Sequence, residues 1–350
     1  MRVELSRRHN SSRRVESLFT TVLTGHTEID ETFAETRHNA GANISLPELP
    51  PIAVNNILPI RRPPKTFSLD REDTVEDTII TTYYLCEEFL KATGHRDDPQ
   101  VLLSTAEVMT TAVTAAAFFG GNLEASRSFL DEFGYIDKAI SKSRFNRRLH
   151  AIDPSVWQTL FELLAEVFKR GHPERTYVVD SLPVAVCDNI RIKRCRIYPP
   201  QVHGEAFRGY IASKRRYFYG LRVHLVSTGA GEPVEFCLAA ASEADIGLFK
   251  ESNLDLPEGS IIYADKAYTD YHHEDLLEEV GLHLKAQRKK NSKRPVPAWE
   301  EFLSKPIRQY IETVFSKLSA LFSRKIHAVT PRGFELKIVC FLLAFSIQCL

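Results

Sequence analysis

The sequence predicts an α/β fold, a mixed five-stranded sheet with helices, preceded by an all-α N-terminal domain. Three observations predict it. Apolar residues recur three and four apart from about residue 73 to Gly171, which is the period of packed helices. After Gly171 the pattern changes to β-branched and aromatic runs with a period of two. Beyond Ala240 short strand-like runs alternate with helical stretches.

Taken in order, residues 1 to about 70 carry Arg pairs and then Pro47, Pro50, Pro51, Pro59, Pro63 and Pro64. Proline fixes φ and removes a donor, so this part reads as a flexible tail and Pro-rich linker. The helical domain spans 73–171. Within it Ser104 and Glu107 form a capping-box pattern before an Ala-rich run that stops at Gly120-Gly121, and Asp153-Pro154 opens a helix that stops at Gly171. The third domain spans 175–350. Its first strand is 176–180; a second, 217–226, alternates around Gly220, and the turn 229–233 leads to a hairpin partner at 234–240. A helix at 245–252, a strand at 260–264, a helix at 271–280 and a strand at 282–286 follow. Two helices close the chain, one from about Pro306 to Phe322 and an apolar one from Phe334 to Leu350. The order is βββαβαβα with one more helix.

A length of 350 residues and a hydrophobic fraction of 43% suit folded domains with a sizeable core. Lys plus Arg equals Asp plus Glu at 45 each, so any nucleic-acid surface must come from local clustering rather than bulk charge. Six cysteines without a CxxC pair, and an N-terminus without an apolar signal core, point to a reducing cytoplasm. The longest apolar run, 338–345, is far short of the ~20 residues a bilayer requires, so it reads as a buried helix and no membrane is expected.

Three carboxylates carry the chemistry. Asp180 closes the apolar strand 176–180, where an ionised group is costly unless compensated, although a turn toward Pro183 accounts for it equally. Asp265 ends the run Ile261-Ile262-Tyr263-Ala264, as a capping residue or as a site residue at a strand's carboxyl end. Glu312 lies at the edge of a helical apolar face of Ile311, Val314, Phe315, Leu318, Leu321 and Phe322, where a surface pair with Arg308 is the plainer explanation. Together the three point elsewhere. Clustered carboxylates repel, and hard oxygen donors are neutralised well by Mg²⁺ or Mn²⁺. Two such ions about 3.5–4 Å apart can activate a water or 3′-hydroxyl for phosphodiester displacement.

Several stretches resemble those of insertion-sequence DDE transposases, most closely the insertion sequence 982 family. They are Ser143-Arg144-Phe145-Asn146-Arg147-Arg148-Leu149-His150, Val179-Asp180-Ser181-Leu182-Pro183, Tyr263-Ala264-Asp265-Lys266-Ala267-Tyr268, Ile311-Glu312-Thr313-Val314-Phe315 and Gly333-Phe334-Glu335-Leu336-Lys337. The resemblance covers roughly residues 75 to 350. It implies a ribonuclease H-like catalytic domain, with Asp180, Asp265 and Glu312 as the metal-binding triad for two Mg²⁺ or Mn²⁺ ions. It also implies a bacterial transposase that acts on double-stranded DNA, the element's terminal inverted repeats and a target, as a homo-oligomer in the nucleoid. The sequence departs from one related signature, Tyr-x2-Arg-x3-Glu-x6-Lys: Arg308 and Glu312 fit it, but Lys305 and Ser319 stand at its Tyr and Lys positions, with Lys317 nearby.

Basic clusters at 191–196, 214–216 and 285–294 flank the expected active-site strands, where cations neutralise phosphates. The DNA-contact candidates are Arg144, Arg147, Arg148, Lys214, Arg215, Arg216, Lys266, Arg288, Lys289, Lys290, Arg308 and Lys317. The helical domain suits terminal-repeat recognition or dimerisation and packing. His272-His273 lacks partners at ligand spacing, and Gly229-x-Gly231 is a turn rather than a dinucleotide motif. Two other functions use the same features: a metal-dependent DNA nuclease without strand transfer, and a transposase-derived DNA-binding protein without activity.

Overall fold

The computed structural model describes residues 69–350 apart from 137–139, 188, 212–214, 253, 290 and 323–325, and without the side chains of 69–74, 189, 301, 303, 305, 306 and 308–311. The expected tail and linker fall outside the described residues up to residue 68.

Among the described residues five helices precede the first strand: α1 (Leu69–Ala92), α2 (Thr105–Phe118), α3 (Leu123–Glu132), α4 (Lys142–Ala151) and α5 (Pro154–Gly171). Their ends follow the local chemistry. At α2 the Ser104 hydroxyl accepts the Glu107 N–H at 3.1 Å while the Glu107 carboxylate accepts the Ser104 N–H, so the expected capping box is formed. At α5 Asp153 accepts the Ser155 N–H at 2.9 Å, and Pro154 opens the helix where a missing N–H costs nothing. One face of α5 buries Trp157, Leu160, Phe161, Leu164 and Phe168.

These helices close around the last one, α10 (Pro331–Gln348). A helix with an apolar stripe sits on a surface; one apolar all round belongs inside. Ile338, Phe341, Leu342, Leu343 and Ala344 are inaccessible, and α10 packs against α1, α2 and α5. The expectation of a buried helix at 338–345 holds.

The sheet contains β1 (Thr176–Cys187), β2 (Arg208–Ile211), β3 (Arg216–Thr228), β4 (Pro233–Ala240), β5 (Ile261–Ala264) and β6 (His283–Ala286). Strand β1 is antiparallel to β3 and parallel to β5, β5 is parallel to β6, and β2 and β4 share the far side of β3. The mixed sheet therefore has six strands, not five. The extra one is the short hairpin partner β2, whose Gly209 must lack a side chain because a Cβ there would meet the Phe218 ring at 2.5 Å. Helices α6 (Pro200–His203), α7 (Asp245–Glu251), α8 (Tyr271–Glu279) and α9 (Ala298–Leu321) complete the fold.

Two sequence expectations need correction. Strand β1 does not end at Asp180; it runs on through Pro183 to Cys187. Its pairing with β5 stops at Val179–Ala264, and from there it pairs only with β3, so a residue without an N–H is tolerated on the open side. Gly220 fits this extension, since a Cβ would stand 2.2 Å from the Val184 carbonyl oxygen. Likewise α9 starts at Ala298 and passes through Pro306 rather than beginning there.

Candidate active site

Register brings two of the three carboxylates together. Val179 pairs with Ala264 across the parallel strands β1 and β5, so Asp180 and Asp265 are the next residues along neighbouring strands. Each uses one oxygen locally: Asp180 Oδ1 accepts the Ser181 N–H at 2.7 Å, and Asp265 Oδ1 accepts the Ala267 N–H and caps the 3-10 turn Lys266–Tyr268. The capping explanation for Asp265 is thus realised, and it fixes where that carboxyl stands.

Glu312 arrives on α9, which packs against β1. Val314, Phe315 and Leu318 are buried beneath this helix, while Glu312 is exposed. Gly231, at φ 95°, permits the close approach, because a Cβ would stand 2.4 Å from a Val314 methyl.

Electrostatics tie the three together. Burial pushes the Asp180 carboxyl up to about 6, and the charges of Asp265, Asp245 and Glu312 add to the rise, against the Ser181 hydrogen bond. Asp265, Asp245 and Glu312 are therefore each within Coulombic reach of Asp180. Among the described residues, however, no three His, Cys, Asp or Glu side chains stand close enough to share a metal ion. The donor set, all carboxylate oxygens, fits Mg²⁺ or Mn²⁺ chemically.

Asp245 is the residue that sequence reasoning missed. It heads α7, and both its oxygens lie beside Arg222 Nη1, at 2.9 and 3.1 Å. His224 Nε2 is 3.5 Å from Asp245 Oδ1 without a hydrogen bond, and its Nδ1 lies 3.3 Å from the hydroxyl of the buried Tyr268. Burial lowers the His224 imidazole to about 4, outweighing Asp245, so it is neutral. The signal was present in β3: Arg222 and His224, two apart in an otherwise apolar strand, share a sheet face and call for a counter-charge.

The DNA-contact candidates divide. Arg144, Arg147, Arg215, Arg216, Lys266, Lys289 and Lys317 are exposed. Arg148 and Arg288 are not available as expected. Arg148 binds Asp97 at 2.9 Å, tying α4 to the segment before α2, and Arg288 grips both oxygens of the buried Glu274 at 2.5 and 2.7 Å. Each serves a carboxylate that burial would otherwise strand. Lys214 and Lys290, and the Arg308 side chain, lie outside the described residues. All six cysteines are free, and no described helix is long and apolar enough to cross a membrane.

Residues 170–328, the stretch from the end of α5 past α9, match the family model of the transposase DDE domain. Comparison with curated protein sequences gives no match. Among solved structures the chain is similar to the piggyBac transposase in its synaptic complex with hairpin DNA, at 12% identity and a TM-score of 0.40, over 77% of this chain and 71% of that one. The family match supports a transposase, and all three predicted carboxylates fall inside the matched segment.

Proposed function

We propose that this chain is a metal-dependent DNA transposase of a bacterial insertion sequence, with a ribonuclease H-like catalytic domain at 175–350. The observation that carries the proposal is the Val179–Ala264 register, which sets Asp180 and Asp265 side by side with Glu312 in Coulombic reach. In this reading Asp180 and Asp265 hold metal from the strands and Glu312 from α9. Two bound divalent ions would supply activation of a water or 3′-hydroxyl and stabilisation of the leaving oxygen. The protein's own part is to fix the carboxylates: Ser181 and Ala267 orient one oxygen of each aspartate. Exposed Lys266 and Lys289 neutralise DNA phosphates beside the cut. The helical domain at 73–171 binds the terminal repeats or a second copy of the chain, which acts as a homo-oligomer in the cytoplasm.

A strand-transfer assay tests this directly, using a duplex with a pre-cleaved 3′-hydroxyl element end, a target plasmid and Mn²⁺. Joined products that vanish with Glu312→Gln support the reading. Hydrolysis without joining makes the protein a nuclease, and Mn²⁺-independent or Glu312-independent products reject the triad.

A further inference from the structure

Away from the carboxylates, α3, α4 and the start of α10 enclose an open cavity of about 1000 Å³. Its polar lining is cationic or nitrogen-rich: Lys142, Asn146, His150, His327 and Lys337. The first three are spaced four apart along α4 and form one stripe, while Phe145 and Leu149 between them turn into the core. Among the described residues the one carboxylate on the wall, Glu124, is engaged by the Arg127 guanidinium.

Lys337 is the informative group. Its ammonium donates to the Gly121 carbonyl at 2.9 Å and the His327 carbonyl at 2.6 Å. Among the described residues no carboxylate stands within ion-pair distance of it. An ammonium has three donors, and these bonds use two. Burial holds it below the usual lysine range, with Cys340 opposing, so the fold bears the cost of a half-buried cation that no carboxylate among the described residues neutralises. Arg332 adds to the positive field, as it and burial together lower the His150 imidazole.

We propose that this cavity binds a phosphate group, with Lys337 as the half-buried counter-charge and Lys142, Asn146 and His150 as its outer contacts. Two sources share that chemistry, a phosphodiester of a DNA backbone and free phosphate. The size of the opening and the line of donors along α4 favour the backbone. The inference is independent of the triad, because the site would bind phosphate whether or not the carboxylates cut DNA.

The test uses the full chain with Lys142→Met, His150→Gln and Lys337→Met, the first two at exposed positions where folding is not at stake. Duplex affinity is measured across a salt series, and thermal stability with inorganic phosphate against chloride at equal ionic strength. If DNA is the source, Lys142→Met weakens duplex binding for all sequences alike and makes the slope of log K against log salt shallower by about one. If free phosphate is the source, phosphate raises the wild-type melting temperature, the variants lose that rise, and duplex binding is unchanged. Wild-type levels of both duplex binding and phosphate protection in Lys142→Met and His150→Gln, or no phosphate protection together with an unchanged salt slope, overturn the proposal. Loss of strand transfer in Glu312→Gln with the salt slope intact would separate a failure at the triad from a failure here.

Discussion

The carboxylates around β1 and β5 and the cavity at the start of α10 both gather like charge, by opposite constructions. Around the strands, parallel register sets two aspartates at the same level, and burial raises the Asp180 carboxyl with repulsion from its acidic neighbours adding to the rise. Among the described residues only Asp245, beside Arg222, is answered by a protein cation. In the cavity, helix ends meet, and the lone buried cation is held by carbonyl dipoles instead of an opposite charge. Strand register fixes acidic groups to within a residue's spacing, which suits small hard cations. Helix ends leave a wide opening, which suits a larger anion.

The sharpest way to break this contrast is at Asp180. Asp180→Asn should reduce Mn²⁺-dependent cleavage by about 10³-fold or more, a loss measurable on labelled duplex, because an amide cannot supply the ligand charge. The same variant should gain stability without metal. The folded carboxyl titrates at about 6 against 3.8 for the ordinary group, so the folded state holds the proton more tightly. Metal-free wild type therefore becomes more stable as pH falls from 7 through 6 toward 3.8. Asp180→Asn should remove that dependence and gain on the order of 1–3 kcal/mol at pH 7, read by urea unfolding at several pH values. A variant that is less stable than wild type at pH 7 would mean that burial and the neighbouring carboxylates do not raise this group.

Next in size is Gly220→Ala. A methyl 2.2 Å from the Val184 carbonyl forces the β1–β3 pairing apart, and about 3 kcal/mol or more of stability should go with it, along with cleavage. Asp245→Ala leaves Arg222 and His224 without their carboxylate. Its unfolding free energy should drop by about 2–4 kcal/mol, less than for a fully enclosed pair because both side chains retain some exposure. Smallest is Arg148→Ala, which should cost about 1 kcal/mol through the lost Asp97 tie and leave the salt slope of DNA binding unchanged. A shallower slope would return Arg148 to the DNA surface.

Much of this was legible before the structure, and the failures have physical causes. The capping box at Ser104, the Asp153-Pro154 start and the buried run 338–345 were readable because local chemistry decides helix ends and burial. The adjacency of Asp180 and Asp265 was readable because each follows an apolar run, and those runs pair as parallel strands. Pro183 misled, since a proline signals a turn unless a neighbouring strand happens to end, and that is a fact about β5 rather than about residues near 183. Arg148 and Arg288 misled for the same reason: a basic run looks like surface until partners as distant as Asp97 and Glu274 come into view. Asp245 had no local mark at all, and its partners lie 21 and 23 residues upstream.

The placement of α10 bears on how the chain matures on the ribosome. Helices that precede the sheet surround a segment that follows it, so α1, α2 and α5 cannot seal their shared interior until residue 348 has left the exit tunnel. Throughout synthesis they present an uncovered groove to chaperones and proteases. A nonsense codon anywhere before α10 would then disable the amino-terminal half as surely as the carboxyl-terminal one, even though every residue of that half had been made.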